Sequence, residues 1–222
     1  MYSLLYENII STNSDIAICG FKKVYSYNDE SEDILTDTKI CVLNNIEALN
    51  MMYSENGVDF VVAWNKLYKR NLFDDLEFKD GKLHEDEFIC HQILYKSKQV
   101  VYNRTQLYYY LQRSSSIINS DFNAKKLDAI YAFNERKDFF KNKGLKELQY
   151  LTEYNYIKYF FEYYFKYRDM LKKSDRDLIK LKIQFSKNIS QLIKNPLYNW
   201  KEKVLWMIFL VNSNIYKWYT SK

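Results

Sequence analysis

The spacing of apolar and polar positions in the first half of the chain predicts short strands alternating with helices. Residues 2–10 carry apolar side chains at helical spacing, and the apolar run at 16–21 (IAICGF) predicts a buried strand in which Gly20 allows close backbone approach. Residues 45–53 predict a further helix, and residues 99–102 predict another strand. We therefore expect an α/β arrangement in this part of the chain.

The second half has helical periodicity throughout. From residue 121 onward, apolar residues recur every three or four positions and predict four helices. The first of these helices ends near residue 143, and the other three span 147–171, 175–193 and 200–219. Gly144 favours the end of the first helix, and Pro196 favours a break between the last two. The helix at 147–171 has aromatic residues on more than one face, which predicts packing on both sides or contact with a membrane or a partner.

A cluster of acids and histidine follows the turn signal Asp80-Gly81. The residues His84, Glu85, Asp86 and Glu87 directly precede an apolar run at helical spacing, so the acids lie at a predicted helix start. Acids in a first helical turn are common because they complement the helix dipole. Composition alone therefore leaves a structural and a catalytic interpretation open.

The order of the motifs around this cluster favours the catalytic interpretation. WNKLYKR at 64–70, GKLHEDEF at 81–88 and LYYYLQRSSSI at 107–117 follow one another with a strand between the last two. In this order and spacing, residues 15–117 resemble the C-terminal half of the catalytic domain of bacterial family 2 glycosyltransferases of the GT-A type. The resemblance implies an α/β fold, a partial GT-A-like mixed sheet with helices, over residues 1–120. Helical periodicity and charge predict an all-helical, basic region over 121–222.

The same resemblance implies a hexosyltransferase-type reaction. A nucleotide-sugar donor would pass its sugar to a polysaccharide or lipid-linked glycan acceptor, as in capsule biosynthesis at the cytoplasmic face of the plasma membrane. By position, Asp86 would be the catalytic base, with Glu85 before it. A carboxylate suits inverting transfer because it takes the proton of the acceptor hydroxyl while that oxygen attacks the anomeric carbon.

Further site residues are implied by the matching blocks. Trp64, Asn65 and Lys66 would border the acceptor pocket, although a core tryptophan and two solvated polar residues are the alternative. Arg113 and Ser116 would lie near the donor phosphates, although a solvated linker suits that segment equally well. His84, beside the proposed base, is expected to bind substrate.

The metal-binding part of the family pattern is not found in this sequence. In the family, an Asp-x-Asp motif holds a divalent metal, Mn or Mg, and the donor diphosphate. We expect that motif before Met1, so the metal ligands would lie mostly outside this chain, and the missing half could come from a partner chain. The sequence Asp175-Arg176-Asp177 follows no apolar strand and is typical of a helix N-cap instead.

A second, weaker metal hypothesis concerns His84, Glu87 and His91. Their spacing places all three on one helical face, which could bind zinc or manganese, but such a set arises readily by chance. No metal ligand is assigned on this basis.

Charge and cysteine content bear on the binding partner and on the cellular location. Residues 1–120 hold 12 Lys and Arg against 17 Asp and Glu, a net of −5, whereas residues 121–222 hold 21 against 11, a net of +10. The acidic first half and the lack of a nucleic-acid-binding motif argue against a nucleic-acid partner. The three cysteines form no C-x-x-C pair, and the first residues resemble no secretory signal, so a cytoplasmic location is expected.

The basic helical region also supports a non-catalytic alternative. The apolar run at 204–211 is flanked by Lys201, Lys203 and tryptophans, and it is too short to span a bilayer. An interfacial helix in peripheral contact with a membrane and a helix packed on its neighbours are both compatible with this pattern. In the first case, a catalytic remnant would serve as a membrane- or partner-binding module.

Overall fold

The computed structural model of the chain describes residues 1–26, 39–112, 123–170 and 175–220. The chain divides into two compact units, Met1–Asp121 and Phe122–Lys222. The first unit contains a four-stranded mixed sheet with helices, and the described part of the second unit is helical. This arrangement confirms the predicted α/β class with a helical C-terminal region.

The strands of the first unit are β1 (Ile16–Val24), β2 (Ile40–Asn44), β3 (Lys66–Tyr68) and β4 (Gln99–Leu111). They form one sheet in the order β2-β4-β1-β3. Strands β1 and β4 are parallel, whereas β3 pairs antiparallel with β1, and β2 pairs antiparallel with β4. The helices are α1 (Tyr2–Thr12), α2 (Asn45–Met51), α3 (Gly57–Val61) and α4 (Glu85–Lys96), with a 3-10 turn at Arg70–Phe73.

The two faces of the sheet meet different helices. Ala17, Cys19 and Val101 form one buried cluster with Leu5 and Ile9 of α1. Side chains alternate between the faces of a strand, so the neighbouring positions of β1 and β4 point to the opposite face.

On that opposite face, Ile18 of β1 lies in register with Lys66 of β3 and with Tyr102 of β4. The ring of Phe60, from α3, packs 4.9 Å from the ring of Tyr102. The antiparallel pairing of β3 therefore brings Lys66 into a face that is otherwise apolar and aromatic.

Gly20 is required where β1 and β4 come close together. The pairing shifts register on both sides of Gly20, and a Cβ at this position would lie 2.5 Å from the backbone oxygen of Arg104. The predicted close backbone approach at Gly20 is confirmed. This irregularity also lets β4 continue as one 13-residue strand, where the sequence predicted a shorter strand followed by a separate strand-like segment.

Side-chain caps begin two of the helices. Asn44 caps α2 and forms a capping box with Glu47. The side chain of Asp175 accepts a hydrogen bond of 2.6 Å from the backbone N–H of Asp177, which confirms an N-cap at the Asp-x-Asp sequence.

The second unit consists of α5 (Asp128–Asn142), α6 (Lys146–Met170), α7 (Arg176–Leu192), α8 (Trp200–Val211) and α9 (Ser213–Thr220), preceded by a 3-10 turn at Ala124–Leu127. The predicted helix at 200–219 is interrupted at Asn212, which has an extended backbone. Its side chain accepts hydrogen bonds from the backbone N–H groups of Asn214 and Ile215 and so begins α9. Among the described helices, none combines the length and apolarity needed to cross a bilayer.

Aromatic rings form the core of the second unit. The ring centroids of Phe160 and Phe185 lie 4.4 Å apart, and that of Phe209 lies 5.5 Å from Phe160. Trp206 and Phe209 are both buried, whereas Val204 and Met207 on the same helix are exposed. Helix α8 therefore packs through one face and leaves an apolar face uncovered by the rest of its unit.

We predict that Phe209→Ala lowers the free energy of unfolding of the helical unit by about 3–5 kcal/mol, because truncating a buried aromatic side chain leaves a cavity. The exposed fraction of Phe209 is 0%. Urea denaturation followed by circular dichroism measures the change.

Met207→Ala is the matched control, since Met207 lies on the same helix and is 50% exposed. It should change the free energy of unfolding by less than about 1 kcal/mol. Equal losses in the two variants would contradict the packing of α8.

Candidate active site

Helix α4 begins at Glu85, so its first turn contains Glu85, Asp86 and Glu87, as the sequence predicted. The preceding residue, His84, adopts a left-handed backbone conformation with a φ of 60°. A residue other than glycine rarely adopts this conformation and needs support from the surrounding structure. The acids therefore follow a backbone turn that is costly to form, a feature often found at functional sites.

The Asp86 carboxyl group is mostly buried, and burial raises its pKa to about 6. The neighbouring charges of Glu87 and Glu85 contribute to this rise of the pKa. Two contacts act in the opposite direction: the backbone N–H of Glu87, 2.9 Å from Asp86 Oδ1, and the charge of Lys66. A carboxylate with this pKa is ionised at neutral pH and still able to accept a proton.

Lys66 is buried on the sheet face that carries Ile18 and Tyr102, with 6% of its surface exposed. Its ammonium group donates hydrogen bonds to the backbone oxygens of Asp59 and Val62 and to Asn65 Oδ1, the last at 2.8 Å. Burial lowers the pKa of Lys66 to about 7, although the charges of Cys90, Asp59 and Asp86 oppose this shift.

Asn65 fixes the position of that ammonium group. Its side-chain N–H groups donate to the backbone oxygen of Cys19 at 2.6 Å and to that of Asp59 at 3.1 Å, which leaves its oxygen directed at Lys66. Asn65 has no exposed surface. The alternative that Asn65 and Lys66 are solvated is therefore wrong, and Asn65 acts on the site through Lys66.

A second buried pair, missed by the sequence analysis, lies on the other side of Lys66. The hydroxyl group of Tyr102 donates a hydrogen bond of 2.6 Å to Asp59 Oδ2. Burial raises the pKa of Asp59, against the opposing effects of Tyr102, Lys66 and Arg104. The signal in the sequence is a single acid, Asp59, within the apolar stretch VDFVVAW at 58–64.

The Asp59 and Tyr102 pair borders a cavity of about 240 Å³. The wall of this cavity consists of residues from β1, β4 and the region of α3: Gly20, Phe21, Glu55, Asn56, Val58, Asp59, Tyr102, Arg104 and Gln106. Charged groups of both signs and uncharged polar groups line it, as expected for a pocket that fixes the orientation of a polar ligand.

Trp64 lies half-buried in an aromatic cluster beside these residues. Its indole stacks on the ring of Tyr110 at 5.0 Å and lies 4.5 Å from the ring of Tyr108. Phe21 contacts it edge-on at 4.8 Å. The cluster presents half-exposed aromatic surface of the kind on which a sugar ring could stack.

The structure describes only some of the remaining predicted residues. His84 is half-buried and Glu85 is exposed at the start of α4. Arg113 and Ser116 lie outside the described residues. Of the predicted residues, Lys66 and Asn65 are joined by a hydrogen bond, and the charge of Lys66 acts on the pKa of Asp86.

His91 is buried within α4, and so it does not share an open site with His84 and Glu87. Within residues 1–26, 39–112, 123–170 and 175–220, no group of three or more His, Cys, Asp or Glu side chains is placed to hold a metal ion. The described residues therefore do not by themselves fit a divalent cation.

Two characterised proteins resemble this chain. A 160-residue alignment, 68% of the chain, is 31% identical to the glycosyltransferase GlyA of Streptococcus pneumoniae serotype 4 and covers 22% of that protein. A 130-residue alignment, 55% of the chain, is 26% identical to the glycosyltransferase GlyG of the same organism and covers 42% of it. No family model matches the chain.

Both relatives are named glycosyltransferases. The aligned region spans less than half the length of either relative. The donor, the acceptor and the catalytic base are not given by the similarity.

The raised pKa of Asp86 predicts how Asp86→Asn changes stability with pH. The folded-state pKa of about 6 lies above the ordinary value of 3.8, so the contribution of Asp86 to stability is full below pH 3.8 and is lost as the pH rises through 6. The variant lacks this loss. Its free energy of unfolding should exceed that of the wild type by about 1–3 kcal/mol near neutral pH, with the difference shrinking toward acid pH.

Urea denaturation at about pH 4 and about pH 7.5 measures this difference. Asp80→Asn makes the same chemical change at an exposed carboxylate before α4 and should move stability by less than about 0.5 kcal/mol at both pH values. An Asp86→Asn variant that is less stable than the wild type at neutral pH would show that the ionised carboxylate stabilises the fold.

Proposed function

We propose that the chain carries the acceptor side of a GT-A-type, family 2 glycosyltransferase in which Asp86 is the general base. The observation that supports this most directly is a mostly buried carboxyl group at the start of α4, with a pKa raised to about 6 and within the electrostatic influence of a buried lysine. Structural acids in a first helical turn are normally solvated and keep an ordinary pKa. The similarity to two glycosyltransferases supports the same reaction class.

In the proposed step, an acceptor hydroxyl group donates its proton to the Asp86 carboxylate. The acceptor oxygen then forms a bond to the anomeric carbon of a nucleotide sugar, and the bond from that carbon to the diphosphate oxygen breaks. The nucleoside diphosphate leaves with the electron pair, and the configuration at the anomeric carbon is inverted. The reaction is of the hexosyltransferase type, and Glu85 borders the site that performs it.

Lys66 has an electrostatic role in this proposal. Its charge favours the ionised form of Asp86 before the acceptor binds, and the surrounding burial keeps the pKa of Asp86 close to neutrality. The two effects together leave Asp86 ionised at cellular pH and basic enough to take a proton. Trp64 and His84 are proposed to contact the acceptor, and Arg113 and Ser116 to contact the donor phosphates.

The proposed acceptor is a polysaccharide or lipid-linked glycan at the inner face of the plasma membrane. A divalent cation, Mg or Mn, is proposed for the complete enzyme, where it would supply charge to the leaving diphosphate. The described residues hold no group that fits such a cation. The proton transfer proposed here uses Asp86.

In the full-length protein, we predict that Asp86→Asn lowers kcat/KM by a factor of about 100 or more, because the amide cannot accept the acceptor proton. The wild-type kcat/KM should rise with pH through about 6 and then level off, as the base with the raised pKa becomes ionised. Sugar transfer to acceptor, measured across pH, tests both expectations.

Asp80→Asn is the matched control and should keep activity within about twofold, since Asp80 is exposed before α4. Circular dichroism confirms that each variant folds. An Asp86→Asn enzyme within a few-fold of wild-type kcat/KM would remove Asp86 from the mechanism.

A second candidate function is peripheral membrane binding through α8. Trp200, Val204, Met207 and Val211 follow one another at helical spacing, and each is between 48% and 86% exposed. They form an apolar stripe on the face opposite Trp206 and Phe209, with Lys201 and Lys203 in the same helix. An exposed apolar stripe with nearby tryptophan and lysine residues provides both of the forces that interfacial binding requires.

We predict that the chain sediments with vesicles containing anionic lipid, less so as salt increases, and that Val204→Ser with Met207→Ser reduces this by about fivefold or more. The control replaces Ile179 and Ile183, which are equally exposed apolar residues one turn apart on α7, by serine. A wild-type chain that ignores anionic vesicles, or equal losses in the two double variants, would contradict membrane binding by α8.

A further inference from the structure

The second unit contains a polar cavity of about 620 Å³, within the size range of small-molecule sites. Every residue along its wall carries a polar or charged side chain. The wall is formed by α5, the beginning of α6 and the end of α7: Asp138, Lys141, Lys146, Gln149, Tyr150, Lys187, Asn188, Ser190, Gln191 and Lys194. A cavity lined in this way suits a charged, strongly hydrated ligand better than an apolar one.

The charge on this wall is strongly positive. Four lysines line it against a single carboxylate, that of Asp138. The Asp138 carboxylate is already paired, because the buried ammonium of Lys137 lies 2.7 Å from its Oδ1. In the described part of the chain, Lys187 and Lys194 are exposed and form no ion pair, so their charges remain available to a ligand.

A buried acid holds the floor of the cavity in place. The Glu153 side chain is fully buried, and its Oε1 accepts hydrogen bonds from Gln149 Nε2 and Gln191 Nε2, both at 2.7 Å. Its Oε2 accepts a further hydrogen bond of 2.9 Å from Asn195 Nδ2. Burying a carboxylate is costly unless such hydrogen bonds compensate, so this network fixes the two glutamines on the wall.

The orientation of Gln191 then sets that of a lysine. Since its N–H group points at Glu153, its Oε1 faces the cavity and accepts a hydrogen bond of 2.8 Å from the Lys141 ammonium. Part of the positive wall is therefore positioned in advance. Preorganised charges bind a ligand more tightly than side chains that must be ordered on binding.

We propose that this cavity binds an anion that carries one or more phosphate groups. Lysine ammonium groups bind phosphate as compact point charges, and a diphosphate offers several negatively charged oxygens to the four lysines. The cavity lies entirely within the second unit and uses none of the residues of the Asp86 site. The proposal is therefore independent of the proposed glycosyl transfer.

Titration calorimetry of the full chain with inorganic pyrophosphate tests the proposal. We expect saturable binding, and we expect Lys187→Gln with Lys194→Gln to weaken it by about tenfold or more, which corresponds to about 1.4 kcal/mol. The control removes the same charge from two exposed lysines that do not line the cavity and, among the described residues, form no ion pair either, through Lys125→Gln with Lys158→Gln. That variant should stay within about twofold of the wild type.

Vesicles containing phosphatidic acid distinguish a lipid phosphate from a soluble one. If pyrophosphate displaces the chain from these vesicles, and the Lys187 and Lys194 double variant fails to bind them, the site takes a lipid phosphate. If the chain does not bind the vesicles, or if neither pyrophosphate nor the Lys187 and Lys194 double variant reduces that binding, while pyrophosphate itself still binds, the site takes a soluble phosphate. The absence of saturable pyrophosphate binding, or equal weakening in the two double variants, would overturn the proposal.

Discussion

The ammonium group of Lys66 connects the elements that form the candidate active site. It donates hydrogen bonds to the backbone oxygens of Asp59 and Val62 at α3, and its charge acts to lower the pKa of Asp86 at α4. Lys66 itself belongs to β3, a strand of three residues whose pairing with β1 directs it into the protein. A buried ammonium group is costly unless several acceptors surround it, so the short helix α3, the turn into β3 and Asn65 all have to be arranged around this group.

Burial also explains why the pKa values of these two groups approach each other. Removing charged groups from water raises the pKa of Asp86 and lowers that of Lys66, and their mutual attraction limits both shifts. The outcome is a carboxylate and an ammonium that both titrate within about one unit of neutral pH. A general base requires a pKa near neutral pH, whereas a solvated ion pair does not require one.

The sequence predicted the local features of this site and missed the long-range ones. The start of α4 at Glu85 follows from the turn at Asp80-Gly81 and the acids before an apolar run, all within ten residues. The burial of Lys66 depends instead on register with Ile18, which lies 48 positions earlier and forms no local pattern with it. For the same reason, the contact between Asp59 and Tyr102 could not be predicted from residue spacing.

Helix α8 shows a different limit. Positions 204–211 are apolar throughout, so helical periodicity cannot say which face is buried. The structure assigns Trp206 and Phe209 to the core and leaves Val204 and Met207 exposed, a division decided by the aromatic rings of α6 and α7. Glu153 and its amide partners are similarly distributed over α6, α7 and the turn that follows α7, and only the packing of these segments reveals them.

The coupling between Asp86 and Lys66 can be measured directly by carbon-13 NMR of the aspartate carboxyl groups during a pH titration. Assignment of the Asp86 signal follows from its loss in the Asp86→Asn variant. The account predicts a pKa of about 6 for Asp86 in the wild type and a higher value in Lys66→Met, because the favourable charge is removed. A wild-type pKa close to 3.8, or one that does not change when Lys66 is replaced, would contradict it.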